Sequence, residues 1–473
     1  MDLSKNRIPE KVKKIHLVAV CGTGMGALAC ILKDSGYEVS GSDLKVYPPM
    51  SHFLARKGVL IADGFNGENV PPETDLVVVG NAVTKDNPEV IQAEKAGLSY
   101  CSMPQAVNRF MVSGRKPIVI AGTHGKTTTS SILAWILYCA GLDPSYIIGG
   151  ILNDFSSNYR LGRGDYVVIE GDEYDTAFFD KGAKFLHYDP FMAVLTSVEF
   201  DHADIFRDMD HVKRTFETFL LKLSAGSTLF AFDADGNVSS LVENKSCRVE
   251  RYGKSGGSAW RMIGVSVEPP WTRFEVLKAG RTFGSFKTRL FGEHNLFNTV
   301  AAVAVAHSLG VAGDAISRGL ETFSGVKRRQ EVRGRKNGVT IIDDFAHHPT
   351  AVRETVLAVK SFHPDKRLIA VFEPRTNSSM RSVFQDVYPQ SFDAADLICI
   401  RKPPLLDKIP LSERFSSQKL AGDLKKRGKD AHYFEDTDSI INFIRNTSRP
   451  GDTVLVMSNG GFDNIHERLL ELL

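Results

Sequence analysis

No apolar run in this chain approaches the roughly 20 residues that a membrane-spanning helix requires, and the opening stretch, MDLSKNRIPEKVKK, is too polar for a secretory signal. Cysteine is sparse: Cys21, Cys30, Cys101, Cys139, Cys247 and Cys399 show no CxxC spacing, and several sit inside apolar runs. This argues against a disulfide framework or a zinc site and for reduced, mostly buried thiols. There is no excess charge of one sign either. With 58 Lys+Arg against 56 Asp+Glu the formal net charge is +2, and the local basic run of Lys11, Lys13 and Lys14 reads as a solvated lead-in to the first strand. No nucleic acid and no membrane is therefore expected as a partner, and the cytoplasm is the expected compartment. Low-complexity segments and short internal repeats are missing too. What is left is an ordinary globular composition, 42% hydrophobic and 24% charged, in 473 residues, a length that suggests about three domains.

The chain is organised around Ile118 to Ser131, IVIAGTHGKTTTSS. Its apolar lead, Pro117 to Ala121, reads as a buried strand that breaks into a glycine turn, and from Lys126 the pattern reads as a helix through about Cys139. Strand, glycine turn and helix in that order make a phosphate-binding loop. Gly122 and Gly125 free backbone N–H groups to turn inward, Lys126 brings a point charge, and the Thr127 hydroxyl is placed to reach Mg²⁺ at a helix N-terminus that already favours anions. One position departs from the commonest form: Ile120 stands where a glycine would, five before Gly125. A nucleoside triphosphate is the expected ligand.

A second glycine turn lies upstream. His16 to Val20 reads as a strand running into Cys21-Gly-Thr-Gly-Met-Gly-Ala27, then a helix through about Ser35 and a strand from Tyr37 to Gly41 that ends at Asp43. The small residues, with an acid about 20 residues on, satisfy the dinucleotide fingerprint. The same turn also suits close strand and helix packing, or a nucleotide diphosphate sugar, since the region is small for a complete NAD site. Asp75 to Val79 is a further strand, with Gly80-Asn81-Ala82 at the carboxyl end where open α/β sheets bind ligands.

After the phosphate loop, the strand Tyr166 to Ile169 delivers Glu170-Gly-Asp-Glu173, an acidic tip of the kind that holds magnesium beside a triphosphate, Glu170 being the preferred ligand and Glu173 the reserve. A solvated acidic loop is the plainer reading. Met192 to Thr196 is the next strand and leads to Asp201-His202, where His202 is either a ligand or a packed residue. Phe291 to Asn298 opens an Ala/Val-rich helix read from Thr299 to Leu309; Asn295 and Asn298 share one helical face and suit a base edge, or serve only as caps. Ser324 to Arg329 reads as a boundary turn carrying cations. Strands at Val339 to Ile342, Arg367 to Phe372, Leu397 to Ile400 and Thr453 to Met457, with helical patterns between, make another doubly wound unit. Arg375 and Arg381, beside one of its strand ends, suit bidentate carboxylate binding or plain surface charge. The expected fold is α/β in three domains: a Rossmann-like N-terminal domain over residues 1–112, a central phosphate-loop domain with a mostly parallel sheet over 113–325, and a Rossmann-like C-terminal domain over 326–473.

Taken in order, GTHGKTTT, Glu170-Gly-Asp-Glu173, Asp201-His202, His294-Asn295-x-x-Asn298, Arg328-Arg329 and Asp343-Asp344-Phe-Ala-His347-His348-Pro resemble the Mur ligase family over essentially the whole chain. That family comprises the ATP-dependent amide-forming enzymes of bacterial peptidoglycan assembly. Two of its branches extend UDP-N-acetylmuramate, one with L-alanine and one with the murein tripeptide L-Ala-γ-D-Glu-meso-diaminopimelate salvaged from old wall. The stretches Glu170 to Phe185, Glu199 to Phe206 and Phe372 to Asn377 resemble the tripeptide-adding branch.

The resemblance implies that Gly22, Thr23, Gly24, Met25 and Gly26 cradle the UDP-sugar diphosphate, with Asp43 and Asn81 nearby. It implies that Gly122, Thr123, His124, Gly125, Lys126, Thr127 and Thr128 hold ATP, and that Thr127 and Glu170 bind one Mg²⁺ while His202 helps with a second. Asn295, flanked by His294 and Asn298, would address adenine; Arg329 and Asp344 would reach in from the domain junction. Lys126, Glu170, His202, Arg329 and Asp344 are thus the implied catalytic set, and His348, Arg375, Asn377 and Arg381 the implied peptide contacts. Several relatives carry a carbamylated lysine downstream of the Asp-His pair; ungapped matching puts Phe216 there, with Lys213 and Arg214 out of register. A monomer or weak homo-oligomer is expected. The rival readings are the L-alanine-adding ligase, an NAD-dependent oxidoreductase built on Gly22 to Asp43, and a nucleotide-gated binding protein.

Overall fold

The computed structural model describes residues 2–46 and 50–473. The first sheet has five parallel strands, β1 (Lys14–Val18), β2 (Glu38–Asp43), β3 (Leu60–Asp63), β4 (Leu76–Val79) and β5 (Ser99–Ser102), in the order β3-β2-β1-β4-β5. Its helices are α1 (Thr23–Asp34), α2 (Met50–Arg56), α3 (Pro88–Lys95) and α4 (Met103–Val107). The order turns back between β1 and β4, so the glycine-rich start of α1 stands at the crevice where such sheets take ligands.

The second sheet is built from β6 (Lys116–Ala121), β7 (Ser145–Leu152), β8 (Ser157–Arg160), β9 (Tyr166–Gly171), β12 (Met192–Leu195), β13 (Thr228–Phe232), β14 (Arg248–Gly253), β15 (Trp260–Glu268), β16 (Trp271–Lys278) and β17 (Arg281–Thr288). Between β9 and β12 a separate hairpin is formed by β10 (Asp175–Ala177) and β11 (Asp180–Ala183). Helices α5 (Lys126–Cys139), α6 (Met209–Leu220), α7 (Gly236–Leu241), α8 (Glu293–Ser308) and α9 (Gly313–Thr322) cover the sheet. The strand order is β17-β16-β15-β14-β13-β12-β6-β9-β7-β8, parallel from β15 to β7. The antiparallel meander β15-β16-β17 at one edge and β8 at the other add antiparallel pairs to this mostly parallel sheet.

Strand β6 explains its own composition. Successive side chains point to opposite faces, and both faces are covered, so the whole run is apolar. Ile118 and Ile120 join the cluster of Ile132 on α5, Val300 on α8 and Ile316 on α9. Val119 and Ala121 join Leu195, Phe216 and Phe219, and that cluster continues into Ala27, Leu28 and Ile31 of α1, which seats the first unit on the second.

The third sheet comprises β18 (Glu331–Lys336), β19 (Val339–Asp344), β20 (Leu368–Phe372), β21 (Leu397–Arg401), β22 (Asp430–Phe434) and β23 (Thr453–Met457), in the order β18-β19-β23-β20-β21-β22. Only β18 runs antiparallel. Helices α10 (Pro349–Phe362), α11 (Tyr388–Ser391), α12 (Ser417–Lys426), α13 (Thr437–Thr447) and α14 (Ile465–Leu472) complete it. The expected mixed α/β architecture with mostly parallel sheets is what the chain adopts. Among the described residues no helix is long and apolar enough to cross a membrane.

Candidate active site

The phosphate loop joins β6 to α5, and its two glycines are there for want of room as much as for backbone freedom. Gly122 sits at φ +132°, where a Cβ would lie 2.2 Å from the Thr196 hydroxyl; Gly125 sits at φ +82°, where a Cβ would lie 2.4 Å from Asn298 Oδ1. The segment that follows β12 splints the loop: Thr123 N donates to the Ser197 carbonyl at 2.9 Å and His124 N to the Ser197 hydroxyl at 2.9 Å. Thr196 Oγ1 donates to His124 O. No side chain caps α5, so the first N–H groups of Lys126, Thr127 and Thr128 are open to an anion.

Lys126 Nζ donates to Gly122 O at 2.5 Å and to Glu173 Oε2 at 2.7 Å. Burial opposes its charge, but Glu173, Asp172 and Glu170 together hold the ammonium above its ordinary pKa. Thr127 Oγ1 lies 3.0 Å from Glu170 Oε1, and Gly149 N donates to the other Glu170 oxygen at 2.7 Å. Arg329 arrives from the start of the third unit: its Nη2 donates to Thr127 Oγ1 at 3.1 Å across 202 residues, and its guanidinium lies over the Phe345 ring at 4.8 Å. His202, at φ +53°, places Nε2 3.4 Å from Glu173 Oε1. Burial works against its proton, yet the hydrogen bond to Glu173 and the charge of Asp201 raise the imidazole to about 9.

These donors fit magnesium and a polyphosphate. A hydroxyl and a carboxylate within hydrogen-bond distance are the hard oxygen ligands that Mg²⁺ takes, next to an uncapped helix N-terminus and a buried lysine. A cation at His202 Nε2 has to displace the proton that Glu173 now stabilises. Glu170 stands with Thr127, whereas Glu173, the reserve ligand, pairs with Lys126 and His202.

Helix α8 begins at Glu293, earlier than the helix read from Thr299, because Gly292 at φ +87° admits the chain to it. Asn295 and Asn298 therefore lie in its first turns. Asn295 Nδ2 donates to Gln330 Oε1 at 2.9 Å and to Phe291 O at 3.1 Å, and Asn298 Nδ2 contacts Asn295 Oδ1 at 3.4 Å. The pair thus ties the phosphate loop to the domain junction. His294 is pushed down to about 4 by burial and by the charge of His124, and its Nδ1 is buried without a hydrogen-bond partner among the described residues.

Asp344 is occupied by backbone. It accepts from Gln330 N at 2.8 Å and Ala346 N at 2.7 Å, so it shapes the segment that presents Arg329; burial raises its pKa. Glu199 bridges two units, 3.4 Å from His124 Nε2 and accepting from Thr350 Oγ1 at 2.7 Å. Burial works to raise its pKa, but His124, Thr350 and His348 bring it down to about 2. His348 reaches Phe200 O at 3.1 Å, and Asn377 Nδ2 donates to Asp204 Oδ2 at 2.9 Å. Arg375 stands 3.6 Å from Glu373, while Arg381 is paired with Glu413 inside its own unit.

In the first unit the start of α1 is likewise free of a side-chain cap, and Asp43 Oδ2 accepts from Cys21 N at 2.8 Å. Gly22, Thr23 and Asn81 are exposed there, Gly24 is half-buried, and Met25 and Gly26 are buried; a Cβ on Gly26 would meet Met50 Cε at 2.4 Å. Asn158 Nδ2 of β8 donates to Thr23 O at 3.1 Å, aligning this turn with the second unit. Thr196, Ser197, Glu199 and Gln330 were not singled out from the sequence. The hydroxyl pair following β12 was a usable signal, since strand ends carry the chemistry in such sheets; nothing local marks Gln330.

The chain matches the Mur ligase family, catalytic domain, over residues 14–115, the Mur ligase middle domain over 120–306, and the Mur ligase, glutamate ligase domain over 328–460. It is 37% identical to the UDP-N-acetylmuramate–L-alanyl-γ-D-glutamyl-meso-2,6-diaminoheptandioate ligase of Escherichia coli, over 97% of this chain and 98% of that one. To the UDP-N-acetylmuramate–L-alanine ligase of Caldanaerobacter subterraneus it is 33% identical, over 98% of both. The solved murein peptide ligase of Psychrobacter arcticus superimposes with a TM-score of 0.73 at 33% identity, covering 97% of this chain and 98% of that one.

Proposed function

Because this chain belongs to the Mur ligase family, we propose that it joins L-Ala-γ-D-Glu-meso-diaminopimelate to UDP-N-acetylmuramate at the expense of ATP, in the recycling of peptidoglycan in the cytoplasm. One observation carries the reading: the convergence of Lys126, the Thr127–Glu170 pair, the Glu173–His202 pair and Arg329 on one loop. The greater identity to the tripeptide-adding relative supports the choice of amine.

A free carboxylate does not acylate an amine at neutral pH, because oxide is too poor a leaving group. The lactyl carboxylate of UDP-N-acetylmuramate, presented from residues 1–112, attacks the γ-phosphorus of ATP held by residues 113–325 and gives an acyl phosphate. Anion and polyanion repel, so cations are needed between them; Lys126 and Arg329 are fixed there before substrate arrives. Thr127 and Glu170 would hold one Mg²⁺ and His202 would help hold a second, and bound there the ions would supply further neutralisation of the triphosphate. The uncharged α-amine of the peptide, bound by residues 326–473, then attacks the acyl carbonyl and phosphate leaves. Contacts of Asn377 with Asp204, of Ser378 with Ala203 and of His348 with Phe200 O span the cleft and exclude the water that would otherwise take the anhydride.

The test is phosphate release and amide formation by purified protein given ATP, Mg²⁺ and UDP-N-acetylmuramate with either the tripeptide or L-alanine. Turnover with the tripeptide alone is expected. Turnover with L-alanine alone assigns the protein to the other branch, and no turnover with either amine refutes the ligase reading.

A further inference from the structure

A cavity of about 630 Å³ opens beside Glu173 and runs away from the phosphate loop, between the β10-β11 hairpin and helix α6. Its size is that of a small-ligand site of several hundred Å³ and well beyond what one small amino acid fills. The inner end is at the reacting centre, because Glu173 contacts both Lys126 and His202. One wall is the hairpin, which is fixed in place: Phe179 packs edge-on against Tyr100 of the first unit at 4.9 Å, and Thr176 Oγ1 donates to Gly182 O at 2.8 Å. The opposite wall is α6.

The charges on these walls are unequal in their commitments. Glu173 is taken by Lys126 and His202, and Asp204 by Tyr174 and Asn377. Lys181 and Asp175 face each other at 3.3 Å on the hairpin. The Arg214 guanidinium, exposed on α6, has no hydrogen bond or ion pair among the described residues. The available charge is therefore a lysine, an aspartate and an unpaired arginine, net positive by one.

Resting on the ligase reading above, we propose that this cavity is the subsite for the distal end of the acceptor peptide, an amino-carboxylate zwitterion followed by a second carboxylate. With the peptide's α-amine at the Glu173 end, its third residue reaches the outer part of the cavity. That residue carries two carboxylates and one ammonium, the mirror of Lys181, Arg214 and Asp175. The Arg214 fork takes a carboxylate, and the Lys181–Asp175 pair takes the zwitterion. This assigns the reading of the third residue to the hairpin and α6 of the second unit, not to the third unit alone.

The experiment is steady-state kinetics on the full chain with Arg214→Ala, Arg214→Lys and Lys181→Ala, using the diaminopimelate tripeptide and its analogue with lysine as third residue, which lacks the distal carboxylate. Arg214→Ala should raise KM for the diaminopimelate tripeptide about tenfold, the loss of one charge-assisted contact. KM for ATP and UDP-N-acetylmuramate should stay within about twofold, and Lys181→Ala, which removes the partner of the zwitterion's carboxylate, should discriminate little between the two peptides. Arg214→Lys should restore part of the loss. An unchanged tripeptide KM in all three variants, with the wild type active on the tripeptide, overturns the subsite and leaves the ligase reading standing. A rise in KM for UDP-N-acetylmuramate in its place overturns it too, by giving the cavity to the sugar. A wild type that accepts only L-alanine refutes the ligase branch itself, and the subsite falls with it.

Discussion

Replacing Lys126 by alanine separates what the phosphate loop does for the fold from what it does for the reaction. In the wild type the ammonium lies 2.7 and 3.1 Å from the two oxygens of Glu173, whose exposure is 3%. Removing one partner of a buried ion pair costs about 3–5 kcal/mol, because the survivor is left charged in poor solvent. Here His202 still faces Glu173 at 3.4 Å, which keeps the cost near the lower end, about 3 kcal/mol. For a unit of this size each kcal/mol moves the melting temperature by about 2–4 °C, so a fall of about 6–12 °C is expected. The assay is thermal melting of Lys126→Ala beside the double variant Lys126→Ala/Glu173→Gln. Neutralising the stranded carboxylate should recover most of the loss, while phosphate release stays down by more than about a thousandfold, since the charge that faces the triphosphate is still gone. Binding of UDP-N-acetylmuramate by calorimetry should be preserved, because the start of α1 belongs to a different sheet. A double variant no more stable than the single one would refute the argument that an uncompensated buried charge sets the cost. Equal loss of ATP and UDP-sugar binding would refute the division of labour between units.

Three other outcomes follow from the same geometry. Gly125→Ala puts a Cβ at 2.4 Å from Asn298 Oδ1 at φ +82°, so ATP affinity should fall and stability drop by about 1–3 kcal/mol, and Asn298→Ala should not rescue it, because the backbone strain persists; both are read by ATP titration and melting. Phe216, fully buried and 5.3 Å from the Phe185 ring, should cost about 3–5 kcal/mol as Phe216→Ala in urea unfolding; a cost below about 1 kcal/mol would mean that α6 is not packed as described. Glu199 titrates in the fold at about 2, below its ordinary 4.5, so its contribution is present above about 4.5 and is lost as pH falls toward 2. With solvent screening at its part-exposed oxygens, about 1–2 kcal/mol should separate wild type from Glu199→Gln at pH 6 in urea unfolding, and the gap should shrink steadily below about pH 4.5 and close only as pH approaches 2; a gap that does not shrink below pH 4.5 contradicts the assignment.

Much of this molecule was legible in order along the chain. The apolar run of β6, the glycine turn and the helix from Lys126 to Cys139 follow from local rules, since an all-apolar strand needs two covered faces and a left-handed turn needs glycine. The same rules located α1, β9, β12 and the strands β19, β20, β21 and β23 of the third sheet to within a residue or two, but not the edge strand β22. The start of α8 was misplaced because polar His294, Asn295 and Asn298 hide its periodicity; their polarity is spent on the phosphate loop and Gln330, not on solvent. The antiparallel strands β15 to β17 were missed because edge strands carry mixed faces and weak alternation.

What sequence alone settled is therefore the set of parts: three α/β units, two glycine turns, an acidic strand tip and an Asp-His pair. Tertiary structure decided the partnerships: that Glu173 and not Glu170 makes the ion pair with Lys126, that Arg329 reaches Thr127, that Asp344 spends itself on backbone, and that Arg381 turns to Glu413. The physical reason is that residue spacing records which face of an element is buried or which turn it makes, while a contact between side chains distant in the chain depends on how whole sheets are packed. No local pattern carries that packing.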